Sequence, residues 1–261
     1  MILVFDVGNT ETTAGLFDGA ELRAQWRITT SVARTPDEFG LLLRSLLAAA
    51  DVDHRRVDGA AVASVVPPVT APLLDACARY FGVQPVNVDG HSRLPITLAV
   101  DEPLSVGADR IINTLAATRL YGVDAIVVDL GTATTYDCIT RDGVFLGGVI
   151  QPGVQTSADT LFRRTSKLPA TELVPPAQVI GTRTEECIRA GVFFGAVASI
   201  DGIVRRIKAA WPTAETPRVF ATGGLAPLLA PHCETIDQVD GALTLQGLRI
   251  AHELLAAPVP A

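Results

Sequence analysis

Asp6-Val-Gly-Asn-Thr10, delivered by the apolar run Ile2-Leu-Val-Phe5, and Asp129-Leu-Gly-Thr-Ala-Thr134, delivered by Ala125-Ile-Val-Val128, decide how this chain is read. Each is a buried strand that ends by presenting an Asp to a glycine turn. A carboxylate at a strand end can hold a metal or its water. The glycine lets backbone N–H groups and a Thr hydroxyl approach a phosphate closely. One copy alone is better explained by an Asp that bonds its own turn. Two copies after matched strands, and a third glycine turn, Ala221-Thr-Gly-Gly-Leu-Ala226, after Arg218-Val-Phe220, point to phosphoryl transfer at a nucleotide site.

Working outward, the surroundings of the two turns repeat. Met1 to about Arg27 reads as strand, glycine turn, strand, Asp18-Gly19 turn, strand, an antiparallel meander. Residues 125–150 repeat that order, with Arg141-Asp-Gly143 as the second hairpin turn. Between them the spacing of Phe39, Leu42, Leu43, Leu46 and Leu47 after Thr35-Pro36-Asp37-Glu38 predicts a helix over 35–50. A buried strand is expected over 59–64, closed by Pro67-Pro68, then a helix over 72–81, a strand over 85–88 and a helix from Gly107 to about Tyr121. Further helices are expected over 154–161, 184–211 and 241–256, with a frayed tail at Pro258–Ala261. The economical fold is α/β: two duplicated lobes with mixed five-stranded sheets flanked by helices, an N-terminal lobe over 1–117 and a C-terminal lobe over 118–261, with a cleft between them.

The 261 residues are 48% apolar and 19% charged, the balance of a compact globular protein. A net charge of −7 with only short basic pairs such as Arg55-Arg56, Arg163-Arg164 and Arg205-Arg206 argues against nucleic acid and for a small-molecule substrate. Cys77, Cys138, Cys187 and Cys233 have no metal-ligand spacing and are expected to be reduced core residues. His54, His91, His232 and His252 lie in no motif and are expected to be structural or on the surface. No charged leader precedes the first strand and no apolar stretch is read as membrane-spanning, so a cytoplasmic protein is expected.

A repeated meander with an Asp-Gly-Thr turn in each copy resembles the actin-like, sugar kinase and Hsp70 ATPase superfamily, whose lobes are ribonuclease-H-like. Within it the chain resembles the type III pantothenate kinases. The resemblance rests on the two turns together with Ala63-Ser-Val-Val-Pro67, Val106-Gly-Ala-Asp-Arg-Ile111, Gly147-Gly-Val-Ile-Gln-Pro-Gly153, Thr165-Ser-Lys-Leu-Pro169 and Gly181-Thr-Arg-Thr-Glu-Glu186. It implies ATP-dependent phosphorylation of pantothenate to 4′-phosphopantothenate, the first step of coenzyme A synthesis, by a homodimer. Asp6, Val7, Gly8, Asn9, Thr10, Glu11, Thr12 and Thr13 are then the first ATP-binding turn, and Thr132 contacts ATP from the second. Gly107, Ala108, Asp109 and Arg110 contact pantothenate, with Asp109 the catalytic base, and Thr184 holds the substrate. Asp129 is the ligand of a monovalent cation, K+ or NH4+, and Asp6 a candidate partner of the Mg2+ that accompanies ATP.

The residues support these roles on their own chemistry. A hydroxyl attacking a γ-phosphate needs in-line positioning, charge neutralisation and a base, and an Asp at a helix start can supply the last. Read without its neighbours, Asp109 is better taken as a carboxylate complementing the helix dipole; the neighbouring motifs turn the reading to catalysis. Asp137 is either an aid to the cation site or a turn-facing carboxylate, and Arg163 and Lys167 have no assigned role. The small residues Gly191, Gly195, Ala196, Ala198 and Gly202 serve either internal packing or a dimer seam. Two departures from the family pattern stand out. Glu11 adds negative charge beside the phosphates, and Val100 stands where many members carry a tyrosine near the substrate. The alternatives are a kinase for another small hydroxyl compound and a non-catalytic transcription accessory factor of the same family.

Overall fold

The computed structural model describes residues 1–256; the tail at 258–261 lies outside the described residues. In chain order the elements are β1 (Ile2–Val7), β2 (Glu11–Asp18), β3 (Glu21–Thr29), α1 (Pro36–Ala49), β4 (Gly59–Ser64), α2 (Pro67–Phe81), β5 (Val86–Val88), β6 (Thr97–Leu98) and α3 (Ala108–Leu120). They continue with β7 (Ala125–Leu130), β8 (Ala133–Ile139), β9 (Val144–Pro152), α4 (Val154–Arg163), α5 (Thr184–Ala209), β10 (Arg218–Thr222), α6 (Ala226–Leu229), β11 (Gln238–Val239) and α7 (Leu243–Leu255). The described residues form two compact units: Met1–Tyr121 together with Ala242–Ala256, and Gly122–Gly241.

The first unit is a mixed sheet in the order β3-β2-β1-β4-β5, antiparallel across the meander and parallel from β1 to β4 to β5. Strand alternation divides its apolar side chains between two layers. Leu3, Phe5 and Val7 of β1 and Ala60 and Val62 of β4 join Phe39, Leu43 and Leu47 of α1 and Leu73, Ala76 and Cys77 of α2. Val4, Ala61 and Ala63 point the other way, to Ile111, Ile112 and Leu115 of α3 and Leu245, Leu248 and Ala251 of α7. A buried hydrogen bond from Thr244 Oγ1 to Asn113 Oδ1, 2.9 Å, ties α7 to α3. The last helix thus completes the core of the first unit, whereas the sequence expectation groups it with residues 118–261.

The second unit repeats the plan, its strands running β11-β10-β7-β8-β9. Ile126, Val128 and Leu130 of β7 pack with Phe193, Ile200 and Val204 of α5 and Leu229 of α6. Duplication is legible in register. Asp6 lies opposite Thr13 and Val7 opposite Thr12, while Asp129 lies opposite Thr135 and Leu130 opposite Thr134.

Several local expectations change. Helix α2 starts at Pro67, not near Pro72, because Pro67 and Pro68 occupy the first helical turn, where a missing N–H is not needed. By length and composition α5 is apolar enough to cross a membrane, contrary to the sequence reading, and a third of that window is buried inside the unit. Cys187 is exposed rather than in the core, Cys138 and Cys233 are partly buried, Cys77 is buried, and all four are free thiols. Asp137 is fully buried in mid-strand opposite Val127 rather than facing a turn.

Helix α5 carries a buried carboxylate. Asp201 accepts hydrogen bonds from Glu234 N and Thr235 N, both 3.0 Å, and from Thr235 Oγ1, 2.7 Å. Burial pushes its pKa up, but these bonds outweigh it and the net direction is down from 3.8. The stability Asp201 contributes is therefore present above the unfolded value and lost as pH falls through the lower folded one. Asp201→Ala strands these donors and is expected to remove about 1–3 kcal/mol. A lower urea midpoint with an unchanged slope reports this loss; an unchanged midpoint contradicts it.

Candidate active site

The first turn is held from behind and open in front. Gly8 N donates to Glu11 O, 3.1 Å, and Thr30 N to Thr10 O, 2.9 Å. Thr12 turns inward, buried, its hydroxyl 2.8 Å from that of Thr30. Val7 is buried as well, whereas Asn9 and Thr10 are exposed at the tip. By alternation Asp6 shares the sheet face of Ile2 and Val4, the face that α3 covers.

Helix α3 brings Asp109 to that face. Val65, which follows β4, donates its N–H to Val7 O, 3.1 Å. A Cβ at Gly107 would lie 3.8 Å from Val65 Cγ1 and 2.5 Å from Asp109 Oδ1. Gly107 is therefore glycine so that the Asp109 carboxylate can fold back over the helix start, where Arg110 N donates to Oδ1 at 2.9 Å. Burial raises the Asp109 pKa from 3.8, opposed by that backbone bond and by the Arg110 charge. A carboxylate made more basic by its surroundings, next to a glycine turn with a strand-end Asp, suits proton abstraction from a hydroxyl. The sequence-predicted residues Asp6–Thr13 and Gly107–Arg110 thus share one corner of the first unit.

In the second unit, Asp129, Thr132 and the third glycine turn converge. Gly131 N donates to Ala133 O, 3.1 Å, leaving Thr132 exposed at the tip. Gly153 N and Thr156 Oγ1 donate to Thr132 O at 3.1 and 2.7 Å, so the Gly147–Gly153 block and α4 brace the turn. Gly223, with φ +87°, presses its backbone against Asp129 Oδ1 and the Leu130 main chain, with no room for a Cβ. Leu225 N then donates to Leu130 O, 3.2 Å.

Thr184 stands exposed at the first turn of α5. Glu186 reaches back to accept from Thr182 N, Thr182 Oγ1 and Arg183 N at 2.9, 3.1 and 3.3 Å, fixing the helix entry that presents Thr184. These bonds hold the Glu186 pKa below 4.5. Thr184 also lines a cavity of about 640 Å³ between α4 and α5, with Gln151, Leu161, Ile188, Gly191 and Gly195 among its walls.

A sequence model of a family described as type III pantothenate kinase matches residues 2–206. The chain belongs to the type III pantothenate kinases. A type III pantothenate kinase of Anaeromyxobacter sp. (strain K) is 47% identical over 97% of this chain and 99% of its own length. One from Halalkalibacterium halodurans is 44% identical over the same shares. Solved structures share the two-unit actin-like fold at lower identity. A Campylobacter jejuni protein proposed as a Baf family transcriptional activator aligns with TM-score 0.60, 18% identity and coverage of 97% of this chain and 98% of its own. A Sinorhizobium meliloti protein proposed as a 2-dehydro-3-deoxygalactonokinase aligns with TM-score 0.59, 12% identity and coverage of 100% and 99%.

Sequence reasoning passed over Arg27, which pairs with Glu11 of the first turn. Its Nε donates to Glu11 Oε2 at 2.8 Å and its terminal nitrogen pairs with the same oxygen. The signal was present in the meander: with Thr12 on the α1–α2 face of the sheet, Glu11 and Thr13 share the opposite face, and Thr13 lies opposite Arg27.

Proposed function

We propose that this chain transfers the γ-phosphoryl group of ATP to the primary hydroxyl of pantothenate, giving 4′-phosphopantothenate, with Asp109 as the base. The placement of a desolvated carboxylate at the α3 start, on the Asp6 face of the sheet, carries the reading. In this scheme Asp109 accepts the hydroxyl proton as the oxygen attacks. Gly107, Ala108, Arg110 and Thr184 hold pantothenate. The amides of the Asp6–Thr13 turn and Thr132 hold the phosphates, while Thr12 and Val7 brace the first turn from within.

The donors fit hard cations. Asp6 and Thr13 offer oxygen ligands, as magnesium prefers, and magnesium usually takes only one or two carboxylates beside phosphate oxygens. When bound with ATP it neutralises the β- and γ-phosphates. Asp129, pinned against Gly223 near the end of β7, is the oxygen donor proposed for K+ or NH4+. We propose a cytoplasmic homodimer as well. Gly191 and Gly195 face open space, Phe162 of α4 is 47% exposed, and a second copy's apolar helices would cover this surface.

The test is ADP release by the purified chain with ATP, magnesium and pantothenate, in potassium and again in sodium alone. Pantothenate-dependent release that requires potassium is expected. Release indifferent to pantothenate overturns the acceptor, and equal rates in sodium overturn the cation assignment. Light scattering on the same preparation is expected to give twice the 27.5 kDa chain mass; the single mass overturns the dimer.

A further inference from the structure

Glu11 is an unusual neighbour for a polyphosphate. It opens β2, its main-chain oxygen closes the first turn, and its carboxylate is 43% exposed. Left alone, that charge would repel the nucleotide the turn is built to hold. Instead it is bonded to Arg27 of β3 through two guanidinium nitrogens.

Register places the pair. Asp6 lies opposite Thr13 on β2, and Thr13 lies opposite Arg27 on β3, so the three side chains form one row on one face of the sheet. With strands about 4.7–4.9 Å apart, the Arg27 backbone is about 10 Å from that of Asp6. A charge that close acts across roughly one Debye length, about 8 Å at physiological ionic strength.

We propose that Arg27 is an electrostatic positioning residue for ATP: paired with Glu11, it cancels the carboxylate at the rim of the first turn, so the phosphates meet a neutral pair. This rests on the first turn's being the phosphate site. An exposed ion pair of this kind adds little to folding, so its consequence lies in nucleotide affinity rather than in stability.

The experiment compares the intact enzyme with Arg27→Ala, Glu11→Gln and the double variant, measuring KM for ATP and kcat at low and high salt. Arg27→Ala uncovers the Glu11 charge and is expected to raise KM for ATP about three- to fivefold at low salt, with kcat and melting temperature unchanged. Added salt should shrink the increase. Removing the exposed charge in the double variant should return KM to near the parent value, since Gln keeps the main-chain bond to Gly8. An equal KM rise in the single and double variants overturns the proposal, because Arg27 would then act on the nucleotide without reference to Glu11. An unchanged KM in Arg27→Ala overturns it too. Gly8→Ala separates this from failure of the turn itself. Its Cβ would lie 3.1 Å from Glu11 O. A Gly8→Ala enzyme with unaltered ATP affinity removes the phosphate-site reading, whereas weakened affinity there with no Arg27 effect removes the rim proposal alone.

Discussion

Asp109→Asn is expected to lower kcat by about 10²- to 10⁴-fold, the usual contribution of a positioned base, and at the same time to make the protein more stable. The two effects share one cause. Asp109 is desolvated at the start of α3, and its pKa is raised from 3.8. The folded state therefore keeps the proton to higher pH than the unfolded chain. Stability falls as pH rises from the unfolded value through the folded one, and the deficit persists at neutral pH. Asparagine carries no charge to desolvate, so the deficit disappears. Each kcal/mol so relieved corresponds to about 2–4 °C in a protein of 150–250 residues. Calorimetric titration should still show ATP binding. In the parent enzyme the rising limb of kcat/KM against pH should lie above the ordinary Asp range. Full turnover by the mutant under saturating substrates would eliminate Asp109 as the base, and a lowered melting temperature would contradict the desolvation argument.

Gly223→Ala is expected to be the most damaging single methyl addition near the site. At φ +87° an L side chain is strained, and the new Cβ would collide with Asp129 Oδ1 and the Leu130 main chain. Left-handed backbone in a non-glycine residue costs about 1–2 kcal/mol and overpacking another 1–3 kcal/mol. A loss of about 2–5 kcal/mol in unfolding free energy is therefore expected, together with a weakened potassium response, because the carboxylate must move. Denaturant titration and the potassium dependence of turnover measure the two parts. A variant with parent-like stability would show that the β10 turn yields more readily than its contacts imply.

Much of this was legible in the sequence for a physical reason. A buried strand that must deliver a carboxylate into a tight turn leaves an apolar run, an Asp and a Gly in fixed order, and the chain does so twice. The hairpin turns, the α1 start at Thr35–Glu38 and the α3 start are likewise local, set within a few residues. What escaped depends on contacts distant in sequence. Nothing around Leu243–Leu255 tells an amphipathic helix which of two similar sheets it will cover. Pro67 and Pro68 were read as a stop because the same residues serve strand ends and helix starts. Arg27 was hidden because its meaning comes from the strand beside it: only the register of β2 on β3 turns an ordinary surface arginine into the counter-charge of Glu11.

The packing of α7 on the first sheet has a consequence for how the chain is made. Residues 122–241 are contiguous, and the layer of Ile126, Val128, Leu130, Phe193, Ile200 and Val204 is complete within them. The first unit emerges earlier yet waits, with Val4, Ala61 and Ala63 lacking the cover of Leu245, Leu248 and Ala251. At about 5–20 residues per second that interval is on the order of ten seconds. The part synthesised first is finished last, and a chain that ends before Leu243 leaves one face of its first sheet covered by α3 alone, a natural substrate for chaperones and proteases.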